Sequence, residues 1–246
     1  MRTLKFGKAP AQHDERTLKF KKYVKIDLPK PPDAYNSLDR LQEKIKTNDV
    51  ATLFPMDAND RYGCCVIAGA AHQITNFHGL VGRKEVMSET DVVKIYLELS
   101  GGEDNGLVML STLKYWRKTG MGDHKLETFT TLEEKDHDDV KRAISMFGGA
   151  YLGFNVQDAA ISDLEHHRIW TPGPTDGGGH CVVAIAYTPM LIGVLTWGEF
   201  QWATWDWWDK MVDESYVLLP PEAKESDFAP GFDYATLQTD LTAITG

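Results

Sequence analysis

The chain has 246 residues, of which 42% are hydrophobic and 25% are charged, and its formal net charge at pH 7 is −10. These values are typical of a globular protein with one large domain or two lobes, and no apolar run reaches the roughly 18–20 residues that a membrane span needs. Three cysteines are too few for a disulfide scaffold, and the N-terminus lacks the pattern of a signal peptide, so we expect synthesis in the cytoplasm.

The first 30 residues form a basic arm on an otherwise acidic chain. They contain nine Lys or Arg and three acidic residues, a net charge of +6, so the remaining 216 residues carry −16. Such an arm can bind nucleic acid, but it can equally dock on its own acidic body or on an acidic neighbour. We expect docking, because the arm lacks the interleaved aromatic residues on which single-strand binders stack bases.

The basic arm ends in a segment, residues 18–28, in which apolar and polar residues alternate. The alternation predicts a half-buried strand, which the prolines at 29, 31 and 32 stop. Residues 33–48 have the pattern of a short amphipathic helix, and residues 51–62 that of a loop. We therefore assign residues 1–50 to a basic N-terminal arm and strand that precede the main domain.

A polar, turn-prone run at 59–62 leads into Gly63, Cys64 and Cys65, and small and apolar residues follow. The pattern predicts a buried helix from about residue 65 to 79, with a thiol in its first turn. There, the unpaired N–H groups and the positive end of the helix dipole stabilise a thiolate, which is the nucleophilic form of cysteine.

The next stretch alternates between helices and short connections. Ser88 is a predicted N-cap, supported by Asp91 three residues later, for a helix that reaches about residue 100. A glycine-rich loop occupies residues 101–106. The patterns beyond it predict a helix over 107–119, a strand over 125–130 and a helix over 133–147.

The second half is rich in Val, Ile and aromatic residues, which predicts strands at 150–156, 179–187, 190–197, 200–205 and 215–219. Residues 171–179 predict a flexible loop, and residues 221–246 a tail with a short helix around 234–244. The main domain, 51–220, thus has a helical lobe over about 51–148 and a sheet lobe over about 149–220. This order predicts an α+β fold with a cleft between the lobes.

A thiolate at Cys65 needs an imidazole as its base, and His180 is the best placed of the eight histidines. It follows the predicted loop and begins an apolar strand, so its ring is expected at the edge of a lobe. The alternative is that His180 is an ordinary residue at the start of a strand.

The order of these motifs over about residues 50–220 resembles the papain-like cysteine peptidases. Asn59 stands six residues before Cys65, where that family has a Gln, and Gly63 stands two before it. The glycine loop at 101–106 and the strand at His180 also match. The resemblance implies that Cys65 is the nucleophile, that His180 is the base and that Asn59 is an oxyanion donor.

The sequence departs from the family pattern at several positions. Residues 190–198 align with the strand that ends in the family's Asn-Ser-Trp-Gly, but Leu195 occupies the place of the Asn that orients the histidine. The neighbouring Thr196 is expected to point to the opposite face of the strand. Cys64 precedes the predicted nucleophile and Val66 follows it. The chain also resembles uncharacterised papain-like proteins of actinobacteria and their phages, in which an Asp stands at the position of Cys64.

Two other clusters carry weaker hypotheses. Five tryptophans between 197 and 208 are expected to pack in the core, with a stacking platform for sugar or peptide as the alternative; Trp197 is the exception, because the resemblance implies that it shields the histidine. The spacing of His166, His167, His180 and Cys181 matches no zinc pattern. We therefore expect neither a metal nor a cofactor.

Three functions remain open at this point. The first is a thiol hydrolase that cleaves peptide or amide bonds with a Cys–His dyad, weakened by the loss of the orienting Asn. The second is a structural or adaptor component of a phage particle, with little or no catalysis and with virion or homo-oligomer contacts through the basic arm. The third is a hydrolase of cell-wall peptide. The expected partner is accordingly a peptide or protein, and neither a membrane nor a nucleic acid.

Overall fold

The computed structural model describes residues 4–25, 28–46, 49–133, 135–221 and 231–245. Its helices are α1 (Ser37–Ile45), α2 (Val50–Leu53), α3 (Cys65–Leu80), α4 (Glu89–Leu99), α5 (Met109–Lys118), α6 (His137–Phe147), α7 (Ala160–Glu165), α8 (Trp205–Met211) and α9 (Tyr234–Thr245). Its strands are β1 (Tyr35–Asn36), β2 (Thr128–Thr131), β3 (Ala150–Gln157), β4 (Thr175–Tyr187), β5 (Leu191–Thr196), β6 (Glu199–Thr204) and β7 (Val212–Leu219). A helical first half and a sheet in the second half confirm the predicted α+β class. Among the described residues, no helix is both long and apolar enough to span a membrane.

Helix α3 is the central element of the helical lobe. It is apolar on nearly every side, and His78 is the one residue of the helix that is not buried. A helix without a polar face must be surrounded by other elements, and α3 packs against α1, α4 and strand β4. The predicted cysteine helix is thereby confirmed to within one residue.

The strands form one antiparallel sheet in the order β2-β7-β3-β4-β5-β6, with β1 added to β4. From His180 to Tyr187, strand β4 is buried on both faces because successive side chains alternate between two cores. Val182 and Ala184 join the core under α6 and α8, whereas Cys181 and Val183 join the core around α3. This alternation decides which residues of β4 and β5 can meet on one face.

Several sequence predictions hold in detail. The hydroxyl of Ser88 accepts a hydrogen bond from the backbone N–H of Asp91 at 3.1 Å, so the predicted N-cap of α4 is confirmed. Helix α1 lies within the predicted span 33–48, whose end falls on residues 47–48, outside the described residues. The helix predicted from residue 133 begins at His137, because Asp136 caps it.

The predicted strand over 18–28 is wrong. Residues Phe20–Tyr23 form a short 3₁₀ helix, and both aromatic rings at its ends are buried. Residues three apart lie on the same side of a 3₁₀ turn, so Phe20 can stack on Phe232 while Tyr23 donates a hydrogen bond to Asp240. Residues 26–27 of the predicted strand lie outside the described residues.

Two predicted loops contain regular structure. Residues Thr175–Gly179 extend β4 toward its N-terminus, because β3 is long enough to pair with them through Gln157. Helix α2 occupies part of the loop predicted at 51–62. Helix α8 begins among the five tryptophans at 197–208. The hydroxyl of Thr204 accepts a hydrogen bond from the backbone N–H of Trp207 and so caps this helix.

The described part of the basic arm docks on the chain's own acidic residues, as its charge predicts. Lys8 forms an ion pair with Asp213 at 2.9 Å, and Lys21 pairs with Asp136 at 2.6 Å. Lys22 pairs with Asp240 in the same way at 2.7 Å. The arm therefore belongs to the folded body of the protein over the residues that the structure describes.

Candidate active site

Cys65 is the first residue of α3, and its sulfur lies where the two lobes meet. Backbone groups of Cys181 in β4 and of Gly7 in the basic arm face this sulfur. Burial raises the pKa of Cys65 to about 11, and these backbone groups, together with the charge of Lys8, lower it only in part. In this conformation the side chain of Cys65 is therefore a neutral thiol. It lies next to Cys181, the residue that follows His180.

Cys64 has a different environment, although it is adjacent in sequence. Its thiol donates a hydrogen bond to the carbonyl oxygen of Asp57 at 3.2 Å, inside the helical lobe. Burial, and then the neighbouring Cys65 and Asp57, raise the pKa of Cys64 far above its usual value. Of the two adjacent thiols, Cys65 is thus the one that contacts the sheet lobe.

His180 lies on β4 with its side chain buried. Its Nε2 is 2.9 Å from the hydroxyl oxygen of Thr196, whereas its Nδ1 has no hydrogen-bond partner among the described residues. The indole of Trp197 stacks on the imidazole with ring centroids 4.0 Å apart and an interplanar angle of 12°. Burial lowers the pKa of His180 to about 3, with a smaller contribution from nearby His72. The ring is therefore neutral at pH 7 and held in one orientation.

The partner of His180 corrects the expectation that Thr196 faces away from it. Val194 of β5 packs on the same face of the sheet as Val182 of β4. Residues two apart in a strand share a face, so Thr196 of β5 and His180 of β4 also lie on that face. Leu195 points to the opposite face, into the core around α3. Thr196, and not residue 195, is therefore the residue of β5 that contacts His180.

Trp197 owes its position to the turn between β5 and β6. Trp197 and Gly198 connect the paired residues Thr196 and Glu199, and both have positive φ angles, 44° and 77°. Two such residues are typical of the tight hairpin turns that match the twist of the strands. The turn directs the indole over His180, consistent with a shielding role. Trp197 is itself buried. The tryptophans at positions 205, 207 and 208 are also buried, which confirms their predicted core packing, and Trp202 is partly buried.

Asn59 is buried in the turn before α3. Its side-chain amide donates a hydrogen bond to the carbonyl of Tyr62 at 3.0 Å and a longer one to the carbonyl of Lys5 at 3.4 Å. Its backbone carbonyl accepts the N–H of Lys5 at 3.0 Å. Asn59 therefore contacts a backbone segment of the basic arm beside Cys65.

That segment, residues 4–9, is here called the arm segment, and it fills the cleft between the lobes. The backbone N–H groups of Gly7 and Lys8 donate to the carbonyl of Gly179, the residue before His180, at 3.1 and 3.0 Å. The carbonyl of Gly7 accepts the N–H of Leu107 at 2.8 Å, and the carbonyl of Leu107 accepts the N–H of Ala9 at 2.9 Å. The arm segment thereby pairs with both walls of the cleft.

Two residues of the arm segment, one without a side chain and one aromatic, pack closely beside the thiol and the imidazole. Gly7 passes so close to the carbonyl of Gly63 that a Cβ at this position would overlap it. Phe6 covers the rings of His180 and Trp197, with centroid distances of 6.4 and 6.0 Å. The segment therefore excludes solvent from the histidine.

The glycine loop supports the turn before the cysteine helix. A carboxylate oxygen of Asp104 accepts the backbone N–H of Gly63 at 2.8 Å and the hydroxyl of Tyr96 at 2.7 Å. The same tyrosine oxygen accepts the N–H of Gly106 at 3.0 Å. The role of Asp104, the contact of Thr196 with His180 and the position of the arm segment in the cleft are not predicted from the sequence. The signals for them were an acidic residue within the glycine loop, a hydroxyl on the face of His180, and the positive charge of the arm.

The arm segment contacts Asn59, the Cys65 sulfur and Gly179, the residue before His180. No group of three or more His, Cys, Asp or Glu side chains is arranged to hold a metal within the part of the chain that the structure describes. His166 instead contacts the carbonyl of Ser162 at 2.7 Å, at the end of α7. The arrangement at the lobe interface can provide a sulfur nucleophile, a neutral imidazole and an amide donor.

Comparisons with known proteins give different answers for sequence and for structure. Models of known protein families do not match the chain, and a comparison with curated protein sequences finds no match either. Xylellain, a cysteine protease from Xylella fastidiosa, superposes with a TM-score of 0.66 at 14% identity, over 89% of this chain and 97% of that one.

Two further solved structures are similar. The digestive procathepsin L 3 of the Tenebrio molitor larval midgut has a TM-score of 0.61 at 11% identity, over 88% of this chain and 77% of that one. The cysteine protease and lectin-like domains of Cwp84, a surface layer associated protein of Clostridium difficile, have a TM-score of 0.60 at 12% identity, over 87% of this chain and 55% of that one. The chain therefore has the fold of the papain-like cysteine proteases.

Proposed function

We propose that the chain is a thiol hydrolase that cleaves peptide or amide bonds in a peptide or protein substrate. Cys65 is the nucleophile, His180 is the base, and the side chain of Asn59 with the backbone N–H of Cys65 stabilises the oxyanion. The observation that carries the proposal is the orientation of His180. Thr196 contacts Nε2 of His180, and Nδ1 has no hydrogen-bond partner among the described residues. The next residue along β4, Cys181, faces the Cys65 sulfur with its backbone.

The hydrogen bond with Thr196 selects the useful tautomer. When the threonine hydroxyl accepts the Nε2–H, the lone pair of the neutral imidazole is at Nδ1. His180 can then take the proton of the Cys65 thiol, and the thiolate attacks the carbonyl carbon of the substrate. The imidazolium returns the proton to the leaving amine, and a water molecule then hydrolyses the thioester with His180 again as the base.

The arm segment must leave the cleft before this chemistry begins. In the closed form, burial holds both Cys65 and His180 neutral, because it disfavours a thiolate as well as an imidazolium. Departure of the arm segment admits water and substrate to the two side chains. The hydrated pair then exchanges its proton near neutral pH, which links hydrolysis to displacement of the arm segment.

Alkylation of the two adjacent cysteines tests the proposal. In Gly7→Ala, the added methyl group collides with Gly63 and displaces the arm segment. We expect iodoacetamide to modify Cys65 faster in this variant than in the wild type, and faster than Cys64, as read by mass spectrometry of tryptic peptides. Gly7→Ala should cleave denatured casein, and Gly7→Ala with Cys65→Ala should not. Equal modification of both cysteines, or of neither, contradicts the assignment.

A second candidate is a structural or adaptor protein, such as a component of a phage particle, that has retained the fold without efficient catalysis. The filled cleft and the absence of Asn at position 195 favour it. It predicts no Cys65-dependent cleavage of peptides even in Gly7→Ala, and assembly of the purified chain into oligomers through the arm. If casein is cleaved, zymography on bacterial cell walls separates a general peptidase from a hydrolase of cell-wall peptide.

A further inference from the structure

The arm segment places one long side chain, Lys8, in a pocket on the sheet side of the cleft. Its side chain is only 1% exposed, although the residue lies 57 positions before Cys65 in an arm that docks on the surface elsewhere. Gly153 of β3 forms one wall, because a Cβ at Gly153 would overlap the end of the Lys8 stem. Met109 lies beside the same position. The pocket is therefore shaped for an unbranched side chain.

The far end of the pocket carries two carboxylates. The ammonium of Lys8 lies 2.9 Å from an oxygen of Asp213 and 3.3 Å from an oxygen of Glu214. The side chain of Glu214 is 2% exposed, and its other oxygen accepts the hydroxyl of Tyr216 at 2.9 Å. A buried carboxylate is costly unless a cation or several donors face it, so the pocket is built around a positive charge.

The backbone of Lys8 is held as a bound peptide would be. Its N–H donates to Gly179, and its neighbours Gly7 and Ala9 pair with Leu107 on the opposite wall. Gly7 is the residue whose backbone faces the Cys65 sulfur. The pocket thus lies one residue away from the position at the thiol. When a substrate replaces the arm segment, the positive charge between Asp213 and Glu214 leaves with it.

We propose that this pocket, lined by Gly153, Met109, Asp213 and Glu214, is a subsite that selects a lysine or arginine side chain in the peptide that replaces the arm segment. The inference rests on the proposed function and names the class of its substrates: peptides with a basic residue next to the residue held at Cys65. Lys8 then occupies the subsite in the closed form as an internal competitor.

Binding to a variant that cannot cleave tests the subsite directly. The full-length chain with Cys65→Ala and Lys8→Ala is titrated with fluorescent alanine-based peptides that carry a single lysine, moved one position at a time, and with the matching norleucine peptides. Norleucine has a similar length and no charge. We expect one position at which lysine binds at least about tenfold more tightly than norleucine, since hydrogen bonds to charged groups contribute that much when desolvated. Lys8→Met, which keeps the volume of the stem, replaces Lys8→Ala if the latter does not fold.

The charge of the pocket is tested in the same assay. Adding Glu214→Gln should reduce the lysine-to-norleucine ratio to about threefold or less, because one of the two carboxylates is lost. Asp206→Asn is the matched control, because this carboxylate is exposed on α8 and pairs with Lys210. It should leave the ratio unchanged. Equal binding of lysine and norleucine peptides, no binding of any peptide, or a ratio that survives Glu214→Gln would overturn the proposal.

The two proposals fail in different ways. If Lys8→Ala with Cys65 intact binds lysine peptides selectively but does not cleave them, the hydrolase assignment is wrong and the subsite stands. If that variant cleaves peptides without preference for a basic residue at any position, the hydrolase assignment stands and the subsite is wrong.

Discussion

Thr196 and His180 lie on the same face of neighbouring strands, with the threonine hydroxyl oxygen 2.9 Å from the imidazole Nε2. A neutral hydroxyl thereby contacts the imidazole, where the family resemblance implies the carboxamide of an asparagine. It can accept the Nε2–H and fix the tautomer, but it places a rotatable O–H where an amide would present a rigid plane. The contact is the reason for expecting catalysis in a chain with leucine at position 195.

Removal of this hydroxyl should impair turnover more than folding. We expect Thr196→Val, in the Gly7→Ala background that opens the cleft, to lower kcat/KM about 10- to 100-fold, because the imidazole loses its tautomer preference. The free energy of unfolding should fall by only about 1–3 kcal/mol, the cost of one unsatisfied donor. Nitrogen-15 NMR of the histidine ring reports the tautomer directly. Thr196→Ser should keep both the tautomer and the rate; equal rates in the valine and serine variants would show that the hydroxyl has no role.

Replacing Leu195 with the family's asparagine should destabilise the protein without increasing its activity. Leu195 is 1% exposed and faces the core around α3, so asparagine there would bury an unpaired amide and leave a cavity. We expect Leu195→Asn to lower the free energy of unfolding in urea by about 3 kcal/mol or more, with no gain in kcat/KM. Leu195→Met, which conserves volume, should cost less than about 1.5 kcal/mol. A faster Leu195→Asn enzyme would mean that this side chain reaches His180 after all.

Asp104 should stabilise the turn before the cysteine helix. Its carboxylate accepts from both Gly63 and Tyr96, so Asp104→Ala removes two acceptor contacts at once. We expect the free energy of unfolding to fall by about 1–3 kcal/mol. The adjacent Glu103→Ala, at an exposed position, is the control and should change stability by less than about 0.5 kcal/mol. Similar losses in both variants would refute the role of Asp104.

The closed cleft should make stability depend on pH through His180. Its pKa is about 3 in the folded chain and near 6.5 in the unfolded chain, so between these values the unfolded state binds more protons. Stability should therefore fall as the pH falls from about 6.5 toward 3, by at most about 1.4 kcal/mol per pH unit from this residue. Urea unfolding at pH 7.5 and pH 5 measures the change. His180→Gln should show a smaller loss between the two pH values, and an equal loss would exclude His180 as its source.

Local patterns in the sequence were sufficient for the helical lobe and for the order of the elements. The small and apolar run after Cys65 determines a central helix because such a helix has no face that water can solvate, and Ser88 determines a cap because its hydroxyl reaches only its own helix. The strand before the prolines was the exception. There, the alternation over residues 18–28 suits a strand, whereas the burial of both Phe20 and Tyr23 requires a 3₁₀ turn, and contacts with residues more than 200 positions away decided between them.

The candidate site was predictable in its residue types but not in its arrangement. Cys65 and His180 are candidates because a thiol at a helix N-terminus and a histidine before an apolar run have local signatures, whereas Asn59 is a candidate only through the resemblance to papain-like peptidases. Which of Leu195 and Thr196 meets His180 depends on how two strands pair, and a shift of one residue moves every side chain to the other face. The occupation of the cleft by Lys8 was likewise decided only in three dimensions, because charge predicts that a basic arm docks but not which of its lysines becomes buried or where that lysine lies.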